Sequence, residues 1–556
     1  MKQKWWHDAA IYQIYLRSFN DATGDGIGDI RGVIEKLDYL QSLGVEVLWI
    51  SPHYDSPMDD NGYDVRDFYK VSEDYGTIDD FKDLLDDAHS RNMKVITDLV
   101  LNHTSDEHPW FLAAKDPNHP EHDKYKDFYI WQPPKTAGGK RTMPTQWKSW
   151  FGGPVWEYVE TLDEYYLHIF SKKMPDLNWR NKTMREELKA MIQWWVDLGV
   201  DGFRVDASNH LEKNWSFPEG DPGQENFSSL PKHHDYLQEL GEEIFLPNDL
   251  LTIGEAGGAS REEALQYAGH DSKEFSLLIQ FEHCWADVDD SNTLTPGKWA
   301  KGTIDWPAIK QSFAKWIDTY ENEGFHTIYW HNHDQPRVVS HYGDDGEYWE
   351  KSAKMLAYIL YMLPGVPIVY YGEEIGMTNV DYDALEDFRD VEVFTEYKNF
   401  INNGADHSTA LQALKDRARD NARTPMQWDD SPQGGFSAGL PWIKVNKNTD
   451  TINVKKQADA ENSILNTYKR LLHLRKSDGI NFATATFHAL HDPHSFTYEV
   501  HTRHYDYLVI ANLTSDTINY GAAVRAQGYE RYMTNTDTTD LKSLAPYDAL
   551  ILRKKK

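Results

Sequence analysis

Between residues 11 and 371 this 556-residue chain repeats one pattern, a short β-branched or aromatic run followed by a helical period or room for one. The runs fall at Ile11–Phe19, Val45–Ile50, Lys94–Leu101, Val200–Val205, Leu250–Gly254, Phe275–Phe281, Thr327–Trp330 and Val366–Tyr371. Alternation of this kind is the signal for βα units around a parallel sheet. Among the helices, Ile30–Leu43 carries Ile34, Leu37 and Leu40 on one face and stops at Gly44. Another starts at a predicted capping box of Thr183 and Glu186 and lines up Leu188, Met191, Ile192 and Trp195 before Gly199. Further helices are expected at Phe81–Met93, Trp306–Tyr320, Tyr348–Met362 and Ser463–Lys476. Eight strands with helical partners point to an α/β fold, a closed (β/α)8 TIM barrel rather than an open doubly wound sheet.

Two stretches break the rhythm. Residues 105–175 are rich in Pro, Gly, His and Trp, too long for a βα loop and too aromatic for disorder, so a small inserted domain is expected there. Residues 375–460 read as a polar, turn-rich excursion, and beyond Ile480 the period changes to two. The expected division is therefore a barrel from 1–104 and 176–478, the insert, and a C-terminal antiparallel β-sandwich from 479–556. The formal charge, 57 minus 89 or −32, argues against nucleic acid or an anionic membrane as partner and favours a soluble small molecule. The only cysteine, Cys284, permits no intrachain disulfide, reads as a buried apolar residue and fits a reducing compartment. With no apolar run of spanning length, the expectation is a cytoplasmic protein, monomeric for choice.

In a barrel the chemistry stands at the C-terminal ends of the strands. Strand three ends in Asp98…Asn102-His103, strand four in Arg204…Asp206, strand five in Glu255, and strand seven in His333-Asp334. Taken alone, Gly202-Phe-Arg204-Val-Asp206 reads as a strand-end ion pair; acids and imidazoles from four strands at one mouth are harder to explain by folding alone. Acids gathered without cysteine, and with only scattered histidine, suit glycoside hydrolysis better than a transition metal. Asp206, beside Arg204, is expected to have a depressed pKa and to attack the anomeric carbon; Glu255, raised by like charges, is expected to donate the proton. Asp334 would hydrogen-bond the sugar. A retaining mechanism would set Asp206 and Glu255 ~5–5.5 Å apart.

These motifs, Asp98-Leu-Val-Leu-Asn102-His103, Gly202-Phe-Arg204-Val-Asp206, Ile253-Gly-Glu255 and Asn332-His333-Asp334, resemble the four signature regions of the alpha-amylase superfamily, glycoside hydrolase family 13. Ile11-Tyr-Gln-Ile-Tyr15, Gly62-Tyr63-Asp64, Tyr166-Leu-His-Ile-Phe170 and Arg419–Trp428 narrow the resemblance to the oligo-1,6-glucosidase and alpha-glucosidase group. The resemblance implies Asp206 as nucleophile, Glu255 as acid/base and Asp334 as transition-state stabiliser. It implies that Asp64, His103, Arg204, His333 and Arg419 hold the non-reducing glucose against Tyr63 and Phe170, with an Asp64–Arg419 pair closing the pocket so that action is exo. Arg423 reads equally as a local ion pair.

Asp21-Ala-Thr23-Gly-Asp25-Gly-Ile27-Gly-Asp29 places oxygen donors at alternate positions, a spacing that fits a calcium loop and a polar turn with caps equally. The resemblance implies structural calcium here, on Asp21, Thr23, Asp25, Ile27 and Asp29, with Thr23 where relatives often carry Asn; no organic cofactor is expected. Other departures bear on linkage. Met174 stands where oligo-1,6-glucosidases usually show Gln, Ala207 where α-1,6-acting members commonly have Val, and Glu255-Ala-Gly-Gly-Ala-Ser260 is small and flexible on the acceptor side, room that would admit transglucosylation. A sucrose isomerase is disfavoured because Asp287–Trp299 lacks arginine. A non-catalytic scaffold is disfavoured because the acids are present. His108, His119 and His122 lack ligand spacing and read as insert surface, and Tyr370–Glu374 reads as a strand-end cap as readily as a sugar contact.

Overall fold

The computed structural model describes residues 3–519, 525–536 and 542–556. Its central sheet has eight parallel strands: β1 (Ile11–Ile14), β2 (Val47–Ile50), β3 (Lys94–Val100), β4 (Gly202–Asp206), β5 (Leu251–Glu255), β6 (Leu277–Ile279), β7 (Thr327–Ile328) and β8 (Val366–Tyr370). They run in the order β6-β5-β4-β3-β2-β1-β8-β7. The β6 and β7 edges are joined by side chains: Thr327 Oγ1 donates to Leu278 O at 2.8 Å, and Tyr329 OH donates to Gln280 O. A (β/α)8 barrel results.

Side chains alternate across a strand, so each strand has an inner and an outer stripe. Ile11, Val47, Ile96, Leu251, Leu277 and Val366 fill the barrel interior, while Tyr12, Leu48, Val95 and Phe203 face the helices. Gly202 is the inner residue at the start of β4, where a Cβ would lie 1.9 Å from Leu251 O, so only glycine fits. Further along four of the stripes the inner residues turn polar: Gln13 above Ile11, Asp98 above Ile96, Arg204 then Asp206 above Gly202, and Glu255 above Ile253. Period two thus delivers the site from the same strands that build the core.

Several expectations are corrected. The first strand stops at Ile14 and a short helix, Leu16–Phe19, follows. The expected helix 30–43 is two, Ile30–Glu35 and Leu37–Leu43, divided at Lys36. The helix Lys182–Leu198 is capped by Asn181, whose side chain accepts from Met184 N, two residues before the expected Thr183–Glu186 box. Within 375–460 the helices Val391–Asn402 and His407–Arg417 pack around a small core that includes Phe388, Phe400 and Leu414, and a short helix, Val454–Ala458, follows.

Between β3 and Lys182, Trp131–Gln132, Trp156–Val159 and Glu164–Leu167 make a three-stranded antiparallel sheet. Its core of Ile130, Trp147, Val155 and Leu167 takes in Phe217 and Phe227 from the loop after β4, which fastens this segment over the barrel mouth. After residue 483 a five-stranded antiparallel sheet sets Phe496, Tyr498, Val509 and Ile551 against the barrel core, with Tyr498 OH donating to Ile359 O at 2.6 Å. The opposite face carries Leu508, Ile510, Leu550 and Leu552. Where a sandwich was expected, the second layer among the described residues is a two-stranded ladder, Ile518–Asn519 with Ser543–Leu544. No helix among the described residues is long and apolar enough to cross a membrane.

Candidate active site

At the top of β4, Arg204 is buried and donates to three carboxylates. Nη1 reaches Asp98 on β3 and Asp206 Oδ1 at 2.8 Å, and Nη2 reaches Glu255 Oε2 on β5 at 2.6 Å. Trp49 Nε1 holds the other Asp98 oxygen at 2.8 Å. Glu255 Oε2 also accepts from Ala207 N at 3.1 Å, because Ala207 sits in the left-handed region at φ 46° and turns its amide toward β5. Asp206 and Glu255 are therefore set on the two nitrogens of one guanidinium.

The electrostatics differ from the expectation. Burial pushes Asp206 well above the usual carboxylate range; Arg204 opposes this, but Glu255, Asp98 and Asp334 add to the rise. One cation shared among several acids in a dry site does not outweigh desolvation. Asp334 goes the other way: burial would raise it, yet His333, Arg419, Arg423 and Arg204 together hold it well below that range. Its Oδ1 accepts from Arg423 Nη2 at 3.0 Å and Arg419 Nη1 at 3.2 Å. Arg423 is thus part of the site, its Nε donating to His333 O at 3.1 Å.

Aromatic rings gather beside these charges. The Tyr63 and His333 rings stack with centroids 5.4 Å apart, and Tyr63 OH meets His333 Nε2 at 2.8 Å. Gln13 reaches His333 Nδ1 at 3.0 Å, Phe170 lies edge-on to His103 at 5.4 Å, and Phe151 lies beneath Arg419 at 5.1 Å. Burial lowers His103 and His333 to about 3.

The expected Asp64–Arg419 pair is not formed. Asp64 accepts from Ser56 Oγ and from the amides of Asp59 and Asp60, folding the loop beside Tyr63, and burial raises it to about 6. Arg419 instead pairs with Asp60 at 3.1 Å and bidentately with Asp390 at 2.7 Å on both arms. Sequence reasoning missed Asp60 and Asp390; the acidic pair Asp59-Asp60 just before Gly62-Tyr63-Asp64 signalled the first, and nothing local signalled the second.

Other candidates fall outside the pocket. Met174 is buried in the main core, so its thioether makes no polar contact to lose. His108, expected on the surface, is a buried N-cap accepting from Trp110 N. Tyr370 and Tyr371 donate to Ala422 O and Thr424 O, tying β8 to the turn that presents Arg419 and Arg423. In the 21–29 loop, Thr23 joins two carboxylates: its hydroxyl donates to Asp21 Oδ1 and its amide to Asp29 Oδ2. Asp25 instead accepts from Ile27 N, and no group of three His, Cys, Asp or Glu side chains is gathered as a metal would need among the described residues.

The alpha-amylase catalytic-domain family model matches residues 13–482, nearly the whole barrel with its insertion. The chain belongs to the alpha-amylase family. It is a glycoside hydrolase, 42% identical to an oligo-1,6-glucosidase of Bacillus cereus over the full length of both chains. It is 40% identical to a trehalose-6-phosphate hydrolase of Bacillus subtilis, covering 99% of this chain and 98% of that one. Among solved structures, the isomaltulose synthase of Erwinia rhapontici NX5 superposes with a TM-score of 0.92 at 34% identity, covering 100% of this chain and 99% of that one.

Proposed function

We propose that the protein is a retaining, exo-acting α-glucosidase that removes glucose from the non-reducing end of short α-linked gluco-oligosaccharides, isomalto-oligosaccharides foremost. The observation that carries the chemistry is the single guanidinium of Arg204 holding Asp206 and Glu255 on separate nitrogens. Asp206 is the nucleophile, Glu255 the acid/base and Asp334 the carboxylate that binds sugar hydroxyls. The reaction starts with the proton on Glu255 and Asp206 ionised. Glu255 gives it to the glycosidic oxygen as Asp206 attacks the anomeric carbon; the aglycone leaves and a glucosyl ester forms. Water then gives Glu255 a proton and attacks the same carbon, which frees Asp206 and α-glucose. The Asp60–Arg419–Asp390 cluster supports a closed far end, hence one glucose per event.

Gly257 and Gly258 favour a second reading. Both are exposed beside Glu255, and a Cβ at Gly258 would meet nothing within 4 Å, which leaves room for a sugar as acceptor in transglucosylation. Isomaltose, maltose, sucrose, trehalose and trehalose 6-phosphate, offered separately, distinguish these readings. Isomaltose is expected to give free glucose with the highest kcat/KM. No glucose from isomaltose overturns the substrate assignment, and longer oligosaccharides without matching glucose make the enzyme a transferase.

The 21–29 loop is proposed to take calcium on Asp21, Thr23 and Asp29, with Asp25 and the Ile27 carbonyl completing the set. The support is the geometry of Thr23, whose hydroxyl and amide bring the Asp21 and Asp29 carboxylates to one residue. Calcium added after chelation should raise Tm by several degrees and leave kcat unchanged; an unmoved Tm ends the proposal. The reducing-compartment reading of Cys284 and the acidic charge support a cytoplasmic, monomeric enzyme, which gel filtration of the native protein would contradict by eluting it as a multiple of 64.5 kDa.

A further inference from the structure

Behind His103 stands a charged group that the chemistry above does not use. Lys213, on the loop after β4, is completely buried, and its Nζ lies 3.0 Å from Asp176 Oδ2, a carboxylate equally buried. The same Nζ donates to Asn102 Oδ1 at 2.9 Å and to His210 O. An ammonium has donors only, so the oxygen of Asn102 must face it. That orientation turns Asn102 Nδ2 toward His103 Nδ1, 3.3 Å away. On the far side of the ring, His103 Nε2 lies 3.2 Å from Tyr63 O, and a carbonyl only accepts. Every link has a single direction: Nδ1 accepts, Nε2 carries the hydrogen, and the imidazole is fixed in one tautomer and one plane.

We propose that Lys213 is a positioning residue for the glucose site, acting through Asn102 to hold His103 as the Nε2–H tautomer against the sugar. The position of the lysine suits this role. Asp176 pairs with His103 in an isolated β-bridge, so the ion pair joins the end of β3, the return of the inserted segment and the loop after β4. Without the ammonium, Asn102 keeps only its bond to the Asp176 carboxylate as an orienting tie, and once that is neutralised as well a flipped amide would place its oxygen against the lone pair of Nδ1. The ring would then rotate or change tautomer. The proposal rests on the reading of His103 as a sugar contact.

A double-mutant cycle tests it, with kcat and KM measured on the best disaccharide for Lys213→Met, His103→Ala and the double variant. Because Lys213→Met strands a buried carboxylate, the cycle is repeated with Lys213→Met/Asp176→Asn, which removes both charges. His103→Ala should lower kcat/KM at least tenfold, mostly in KM, and Lys213→Met should do nearly the same. In the His103→Ala background, loss of Lys213 should change kcat/KM by less than twofold, because the relay has nothing left to hold. Histidine 15N shifts, assigned by difference against His103→Ala, should show a protonated Nε2 in the native enzyme and lose that signature in Lys213→Met. Losses that multiply in both cycles, or an unchanged His103 signature, overturn the proposal and leave Lys213 a structural ion pair. An unaffected His103→Ala enzyme overturns the sugar-contact reading and the proposal with it.

Discussion

Arg204 and Arg419 are the two side chains around which the pocket's charges are sorted. Arg204 is shared by three acids and cannot prevent burial from raising Asp206. Arg419 is locked by the bidentate pair with Asp390, which leaves Nη1 for Asp334 and Nη2 for Asp60. The difference in neighbours separates the two aspartates: burial raises Asp206, and the arginines around Asp334 hold it low. Asp60→Ala should therefore lower kcat/KM for disaccharides by roughly tenfold to a hundredfold, the range for a charge-assisted hydrogen bond, while Tm falls little. An Asp60→Ala enzyme with native kcat/KM would remove Asp60 from the glucose site. The convergence of Arg204, Asp206 and Glu255 was legible in the sequence because each sits at the end of its strand, while Asp334 follows six residues after β7. The Asp206 pKa was not, because an Arg two residues away says nothing of the other acids that share it.

Elements were read well where the pattern is deep and poorly where it is local. All eight barrel strands stand where apolar runs predicted them, and their inner stripes place Gln13, Asp98, Arg204 and Glu255 at one end by period alone. Helix starts were less legible. Thr183 and Glu186 match a capping box in spacing, yet Asn181 two residues earlier takes the N-cap, its side-chain carbonyl oxygen accepting from Met184 N at 3.1 Å. Asn181→Ala should cost about 1 kcal/mol and Thr183→Ala a few tenths at most, read as shifts in the denaturant midpoint. The reverse order would restore the box. Val391–Asn402 and His407–Arg417 escaped notice because they bury only a narrow apolar stripe in a small core. They matter because Asp390 caps the first of them, accepting from Glu392 N as it also grips Arg419.

At the scale of the whole molecule the pocket is an assembly of distant segments. Its floor comes from the barrel strands, its aromatic rim from Phe151 and Phe170 of the inserted segment, and its far end from the turn Arg419–Arg423. The floor could be read from the sequence because strand ends in a barrel converge by construction. The Asp60–Arg419 pair could not, since the two are separated by 359 positions and only the folded chain brings them together. What the assembly is proposed to do is form a glucosyl ester on Asp206, and that step can be caught. A fluorinated α-glucosyl donor slowed in the second step should add one glucosyl mass to the enzyme, with the modified peptide mapping to Asp206, and the glucose first released from ordinary substrate should be the α anomer. A label on another residue, or no label together with β-glucose as first product, would contradict the account.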